Sequence, residues 1–227
     1  MTFDSSPELL VLHAARIKGR VDADLVARRY RLDVDEVEDL FLDHEARGWV
    51  QRVEFADLQG WSITERGREE VSRLLSDELD RAGARDAVAA AHAAFVRLNS
   101  RFLDVVTRWQ VRPTPWDRMA LNDHTDARWD GSVLEALSGL TRRLRPLEEQ
   151  LAAELARFGG YNDRIEGALA RVDRGETKWV DEPGIDSCHM VWFELHEDLL
   201  ATLGLERGAD EERSPSADDF PPGAGSQ

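Results

Sequence analysis

A mainly α-helical fold with one short β-hairpin is predicted from three observations. The first 80 residues hold three short amphipathic helices followed by two β-prone runs. The next 120 residues show almost unbroken helical periodicity in leucine and aromatic residues. The last 20 lose periodicity altogether.

Pro7 to Ile17 (PELLVLHAARI) carries apolar residues at helical spacing. Asp22 then opens a short helix, and Arg31 and Leu32 make a tight connection to a third, within the stretch Leu32 to Val50. After Arg47 and Gly48 come a β-prone run from Trp49 to Phe55, a polar turn from Ala56 to Gly60, a second strand from Trp61 to Ile63, and Thr64 as the N-cap of the next helix. Helix, helix-turn-helix and a two-stranded wing make a winged helix, with the third helix in the position that reads DNA. Residues 1–82 are therefore read as a winged-helix domain.

From Thr64 to Ala82 the helix carries Val71, Leu74, Leu75 and Leu79, and Gly83 marks a break. A long helix from about Ala84 to Trp109 sets Val88, His92, Phe95, Asn99, Phe102, Val106 and Trp109 along one stripe, until Pro113 and Pro115 stop it. Residues 111–131 read as a long loop holding Trp116, His124 and Trp129. Leu134 to Phe158 follows a near-heptad leucine pattern with Pro146 as a kink, and Gly159-Gly160 ends it. Asn162 to Arg174 and about Ile185 to Leu203 supply two further helices. Residues 83–207 thus form a helical bundle, and 208–227 a disordered acidic tail.

The chain has 227 residues and carries 45 acidic against 29 basic ones, a formal net charge of −16. That balance disfavours general attraction to nucleic acid or anionic membranes. No apolar run reaches bilayer length, and the N-terminal MTFDSSPELL has neither a basic region nor an apolar core of a signal peptide, so a cytoplasmic protein without membrane contact is expected. The single cysteine excludes an intramolecular disulfide.

The third helix has the layout of a recognition helix and the charge DNA should repel: seven acids, Asp33, Asp35, Glu36, Glu38, Asp39, Asp43 and Glu45, against a single Arg47. Val37, Leu40, Phe41 and His44 fall on one face and must be buried. The carboxylates are left for the outer face, where groove reading needs Arg, Lys, Asn or Gln. Asp33 as cap and Glu36 as its partner account only for the first turn. Asp35, Glu38, Asp39 and Asp43 are accordingly a candidate surface for a basic protein partner. Any DNA contact must rest on Arg16, Lys18 and Arg20 after the first helix, Arg28, Arg29 and Arg31 after the second, and Arg52 on the wing. The same cations can instead pair with the acidic helix.

In the bundle, His92, Asn99, Trp109, His189, Trp192 and His196 sit on stripes that otherwise look buried. They read either as the lining of a small-molecule pocket or as satisfied core positions. A divalent ion held by the histidines with Glu197 is a sharper version that needs their convergence, and neither a metal nor a cofactor is assigned. The loop 111–131 reads as a lid or as a connector anchored by its tryptophans. The leucines 137–158 serve equally a homodimer surface or a monomer core. No phosphate-cradling glycine loop, nucleophile elbow or paired-histidine zinc motif is present, so no enzyme activity is assigned.

Leu32, Val37, Leu40, the segment Glu45-Ala46-Arg47-Gly48-Trp49-Val50 and the leucine-rich helix after Thr64 resemble the MarR-like winged-helix regulators of bacteria, over about the first third of the chain. The resemblance implies a ligand-responsive transcriptional regulator, often dimeric. DSCHMVWFELHEDLLATL, residues 186–203, is similar to a C-terminal segment of actinobacterial proteins that join a winged helix to a helical bundle. The winged-helix segment also resembles one appended to phosphoenolpyruvate-utilising enzymes, which implies use away from promoters. The order of parts is similar to that of GntR-type regulators, but their arginine-glutamate-histidine sensor pattern is missing and their metal site is not carried over. The alternative to a regulator is an adaptor that binds protein through the acidic third helix.

Overall fold

The computed structural model describes residues 2–55 and 58–205; the predicted tail and the hairpin tip lie outside them. The described residues are mainly helical with one two-stranded antiparallel sheet. Helices α1 (Pro7–Lys18), α2 (Ala23–Tyr30) and α3 (Val34–Ala46) precede strands β1 (Val50–Phe55) and β2 (Leu58–Ile63). Then follow α4 (Glu65–Ala82), α5 (Arg85–Gln110), α6 (Ala127–Glu154), α7 (Tyr161–Val172) and α8 (Cys188–Leu203).

Each early helix starts where a side chain satisfies the first free N–H groups. Ser6 caps α1 by accepting from Leu9 N at 3.3 Å, Asp22 caps α2 from Leu25 N at 2.8 Å, and Asp33 caps α3 from Asp35 N at 3.0 Å and Glu36 N at 3.2 Å. Thr64 caps α4 from Gly67 N at 3.1 Å and also donates to Gly48 O at 2.7 Å, tying the helix to the start of the hairpin. Gly67 has to be a glycine: a Cβ there would lie 2.0 Å from Trp49 O, which already accepts from Thr64 N at 2.9 Å.

The second strand begins at Leu58, three residues before the predicted Trp61, and the register pairs Val53 with Gly60 and Arg52 with Trp61. Gly60 reads as turn punctuation in the sequence; its actual role is close approach, because Val21 O would lie 2.6 Å from a Cβ there. Val21 and Trp61 exchange backbone hydrogen bonds at 3.0 and 2.7 Å, so the connection between α1 and α2 lies against the outer edge of β2.

Other boundaries shift modestly. The loop predicted over 111–131 ends at Asp126, because Asp126 caps α6 through Arg128 N and Trp129 N. The leucine helix therefore starts at Ala127, runs through Pro146, and closes in a 3-10 turn at Ala156–Phe158.

Buried side chains form two clusters. One joins α1, α2, α3, the hairpin and α4, with Val37 and Phe41 at its centre and Phe41 stacked 5.3 Å from Trp61; Ala201 of α8 also belongs to it. The other fills the space between α5, α6, α7 and α8, and Leu79 of α4 belongs to it. Leu137, Leu144, Leu151 and Leu155 are fully buried here, so the predicted leucine seam is spent inside the chain. Among the described residues no helix is long and apolar enough to cross a membrane.

Candidate functional site

On α3 the buried stripe is as the periodicity predicts: Val37, Phe41 and His44 are buried and Leu40 packs beside them. His44 Nε2 lies 3.1 Å from Glu8 O, and burial pushes its pKa down. Asp35, Glu36, Glu38, Asp39 and Asp43 are all exposed. Among the described residues none of these five forms an ion pair; the only acid of α3 that does is Glu45, 3.6 Å from Arg52. The helix thus presents an uncompensated acidic face.

The seven candidate DNA-binding cations are not equivalent. Lys18 bonds Glu194 and lies 3.4 Å from Asp186, so it is spent on the start of α8. Arg29 donates to Gly159 O at 2.8 Å and Arg157 O at 3.3 Å, with its guanidinium 4.5 Å from the Tyr161 ring centroid. Arg16 donates to Ser72 Oγ at 2.9 Å, and Arg20 to Gln59 O at 3.1 Å. Arg52 lies over the Trp61 ring at 4.6 Å. Arg28 and Arg31 remain exposed at the end of α2, without an ion pair among the described residues. The cations that looked like a phosphate-binding set are largely employed in holding the chain together.

Of these seven, Lys18 joins a buried ionic network and Arg29 borders it at Tyr161. Arg157, in the 3-10 turn, donates through Nε to Glu78 Oε2 at 2.9 Å and through Nη2 to Thr202 Oγ1 at 2.7 Å, while Nη1 bonds Asp198. Asp198 also meets His13 Nε2 at 2.9 Å and accepts from Tyr161 Oη at 2.8 Å and Thr202 Oγ1 at 3.2 Å. One carboxylate thereby binds α1, α7, α8 and the 3-10 turn, and Arg157 adds α4. Burial alone would raise the Asp198 pKa; the charge of Arg157 and the bonds from His13 and Tyr161 outweigh it and hold the carboxylate well below the usual range. Burial is the larger influence on His13 and lowers its pKa despite Asp198.

A second layer lies beside the first. Arg164 meets Asp186 through Nε at 2.9 Å and Glu194 through Nη2 at 2.7 Å, and Lys18 closes it from α1. Asp186 is pushed up by burial, but Arg164 and Lys18 bring it down to about 2. The first layer is buried and hydrogen-bonded on most sides, the condition under which breaking one partner is costly; the second is only partly buried, with Asp186 half-exposed.

Sequence reasoning missed this network. A signal was present: His13 interrupts the apolar run LLVLHAARI, and Asp198 lies on the face shared by Val191, Leu195 and Thr202. The buried face of α8 is rotated from the predicted one, so that Glu194 and Asp198 are inside and His189 and His196 at its edge.

The six candidate pocket residues separate. Trp192 Nε1 donates to Asn99 Oδ1 at 3.0 Å, and His92 and His196 face each other with ring centroids 6.3 Å apart. Phe95 lies 5.4 Å from His196, and Phe102 stacks 4.2 Å from Trp192 and 6.1 Å from His189. His92, His189, Trp192 and His196 form a packed row between α5 and α8, interleaved by phenylalanines and joined by Asn99, and only Trp109 stands apart. Trp109 lies two helical turns beyond Phe102, its ring 4.3 Å from His124. Among the described residues no three of His, Cys, Asp and Glu are grouped to hold a metal ion, so the sharper metal version lacks its convergence.

The loop 111–126 is built by hydrogen bonds. Asn122 Nδ2 donates to Trp109 O at 2.9 Å and Asp130 Oδ1 at 2.8 Å, and His124 Nδ1 lies 3.1 Å from Asp130 Oδ2. Trp129, in the first turn of α6, anchors by donating to Arg108 O at 2.8 Å. Trp116 is 94% exposed and anchors nothing.

Comparison of the chain with family models, with curated proteins and with solved structures returned no match.

Proposed function

We propose that this chain is a winged-helix protein that binds a protein partner, docking a basic surface through the acidic face of α3. The element order α1, α2, α3, hairpin, α4 supports a winged-helix reading, in which α3 would take the recognition position. The observation that carries the reading is the row of exposed, unpaired carboxylates at Asp35, Glu38, Asp39 and Asp43. Such a row repels phosphates and steers a basic surface towards it, an attraction that weakens with salt because the Debye length is about 8 Å at physiological ionic strength. The retention of Lys18 and Arg29 in internal bonds supports the same reading, since it removes them from any DNA-facing set. The test replaces Glu38, Asp39 and Asp43 with Lys in the full chain and compares co-purifying proteins after nuclease treatment. A basic partner that the wild type retains at low salt and the variant fails to retain supports docking through α3; an unchanged set of partners sinks it.

A ligand-responsive transcriptional regulator is the second reading. The exposed, unpaired Arg28 and Arg31 favour it. Under it, the protein retards its own upstream DNA at low salt, and an Arg28→Glu variant does not. Absence of any shift at low salt removes this reading.

A further inference from the structure

Between the α2 end and the segment 156–164 lies a groove of about 660 Å3, lined among others by Arg28, Arg29, Tyr30, Arg31, Gly160 and Arg164. In a chain of net charge −16 this groove has a surplus of the opposite sign. Arg28, Arg29 and Arg31 form no ion pair among the described residues, and Arg29 is held by the backbone carbonyls of Gly159 and Arg157 and by Tyr30 and Tyr161. Of the two carboxylates in the lining, Asp4 and Asp163, the second lies 3.9 Å from Arg145.

Four further features mark the groove lining. Arg164 spends Nε and Nη2 on Asp186 and Glu194, but its Nη1 is buried and has no hydrogen-bond partner among the described residues. Ser5 Oγ, also in the lining, is likewise buried and without a partner. Arg31 ends α2 in the left-handed conformation, φ 58, a position that glycine fills without strain and an arginine fills at a cost. Local conformation does not require an arginine there; a use for its side chain does. Gly160, at φ 92, leaves room for Arg29, since a Cβ would lie 3.3 Å from Arg29 Nη1.

We propose that this groove binds a small phosphate-bearing anion. Guanidinium groups present paired N–H donors that match phosphate oxygens, and several unneutralised ones around one cavity fit a compact polyanion. The floor is the half-buried Arg29 with Arg164, so the ligand has to enter the groove; a duplex reaches only Arg28 and Arg31 at the rim. Because one wall is α2 and the other is the segment following α6, an occupant bridges the two buried clusters of the chain. The site is independent of the acidic face of α3.

The experiment titrates pyrophosphate into the full chain by calorimetry at low salt. Saturable binding is expected, weakened at least tenfold in the Arg28→Gln/Arg31→Gln variant and unchanged in Arg101→Gln/Arg143→Gln, which removes exposed arginines elsewhere. An Arg31→Gly variant separates the ligand role from a structural one: its melting temperature rises by about 2–4 °C as the strain is relieved, while its pyrophosphate affinity falls. No saturable binding at millimolar pyrophosphate, or equal affinity in the Arg28→Gln/Arg31→Gln variant, overturns the proposal. Arginine-dependent binding of a short DNA duplex without binding of pyrophosphate also overturns it and assigns Arg28 and Arg31 to nucleic acid.

Discussion

His13 Nε2 lies 2.9 Å from Asp198 Oδ1, joining α1 to α8 across 185 residues of sequence with both side chains removed from solvent. Asp198 also receives Arg157, Tyr161 and Thr202, so its negative charge is the point on which the buried network converges. Replacing it with alanine leaves the Arg157 guanidinium buried with only Glu78 to oppose it. The expected loss is about 3–5 kcal/mol of unfolding free energy, the usual cost of breaking a buried pair on one side. Urea denaturation measures it, and a loss under about 1 kcal/mol would mean that water replaces the carboxylate.

The pH dependence follows from the same pair. Burial holds the folded His13 pKa below its ordinary 6.5, so the unfolded chain takes up a proton first as pH falls. The stability that neutral His13 contributes is fully present above pH 6.5 and declines below it. Unfolding free energy measured from pH 7.5 to 5 should therefore fall, with a shallower slope in His13→Asn. Identical slopes in the two proteins would refute the assignment. Asp186 acts lower down: lowered from 3.8 to about 2, it contributes stability above the first value that is lost as pH falls through the second.

Adjacent arginines on α2 should behave oppositely. Arg29→Ala removes two bonds to carbonyls and the stack on Tyr161, and an expected loss of about 2 kcal/mol follows from one or two charge-assisted hydrogen bonds. Arg28→Ala touches nothing held inside and should stay within about 0.5 kcal/mol of wild type. Thermal melts of the two variants check the contrast.

Glycines offer a second contrast. Gly67→Ala drives a methyl into Trp49 O, 2.0 Å away, at the junction of hairpin and α4, and should cost about 3 kcal/mol or more. Gly139, inside α6, has only the flexible end of Arg142 at 4.0 Å, and Gly139→Ala should stabilise by about 0.5–1 kcal/mol through helix propensity and unfolded-chain entropy.

What sequence reasoning could reach was set by range. The buried stripe of α3 and the caps at Asp22, Asp33 and Thr64 depend on residues within four positions of each other, and the 3.6-residue period displays them directly. The exposed acidic face is the complement of that stripe and was legible for the same reason. Gly60 was misread because a glycine that admits another strand's carbonyl looks in sequence like one that makes a turn. The pairing within the network of His13, Glu78, Arg157, Tyr161 and Asp198 was out of reach because no two of these partners belong to one element, although His13 and Asp198 each stand on an otherwise apolar face. Arg157 in particular reads as an ordinary cation closing a helix before Gly159-Gly160, and only the packed chain shows it in the interior.

The tie between His13 and Asp198 bears on how the protein comes off the ribosome. Synthesis at roughly 5–20 residues per second separates the appearance of the two by about 10 s or more. Throughout that interval α1 has emerged with His13 and Lys18 lacking the α8 carboxylates that hold them, and with the cluster around α1 still missing Ala201. The first helices therefore wait for the last one. Cotranslational folding of the N-terminal part alone is incomplete by construction, and a nascent chain stalled before residue 198 should be cut by protease within α1 where the released protein resists.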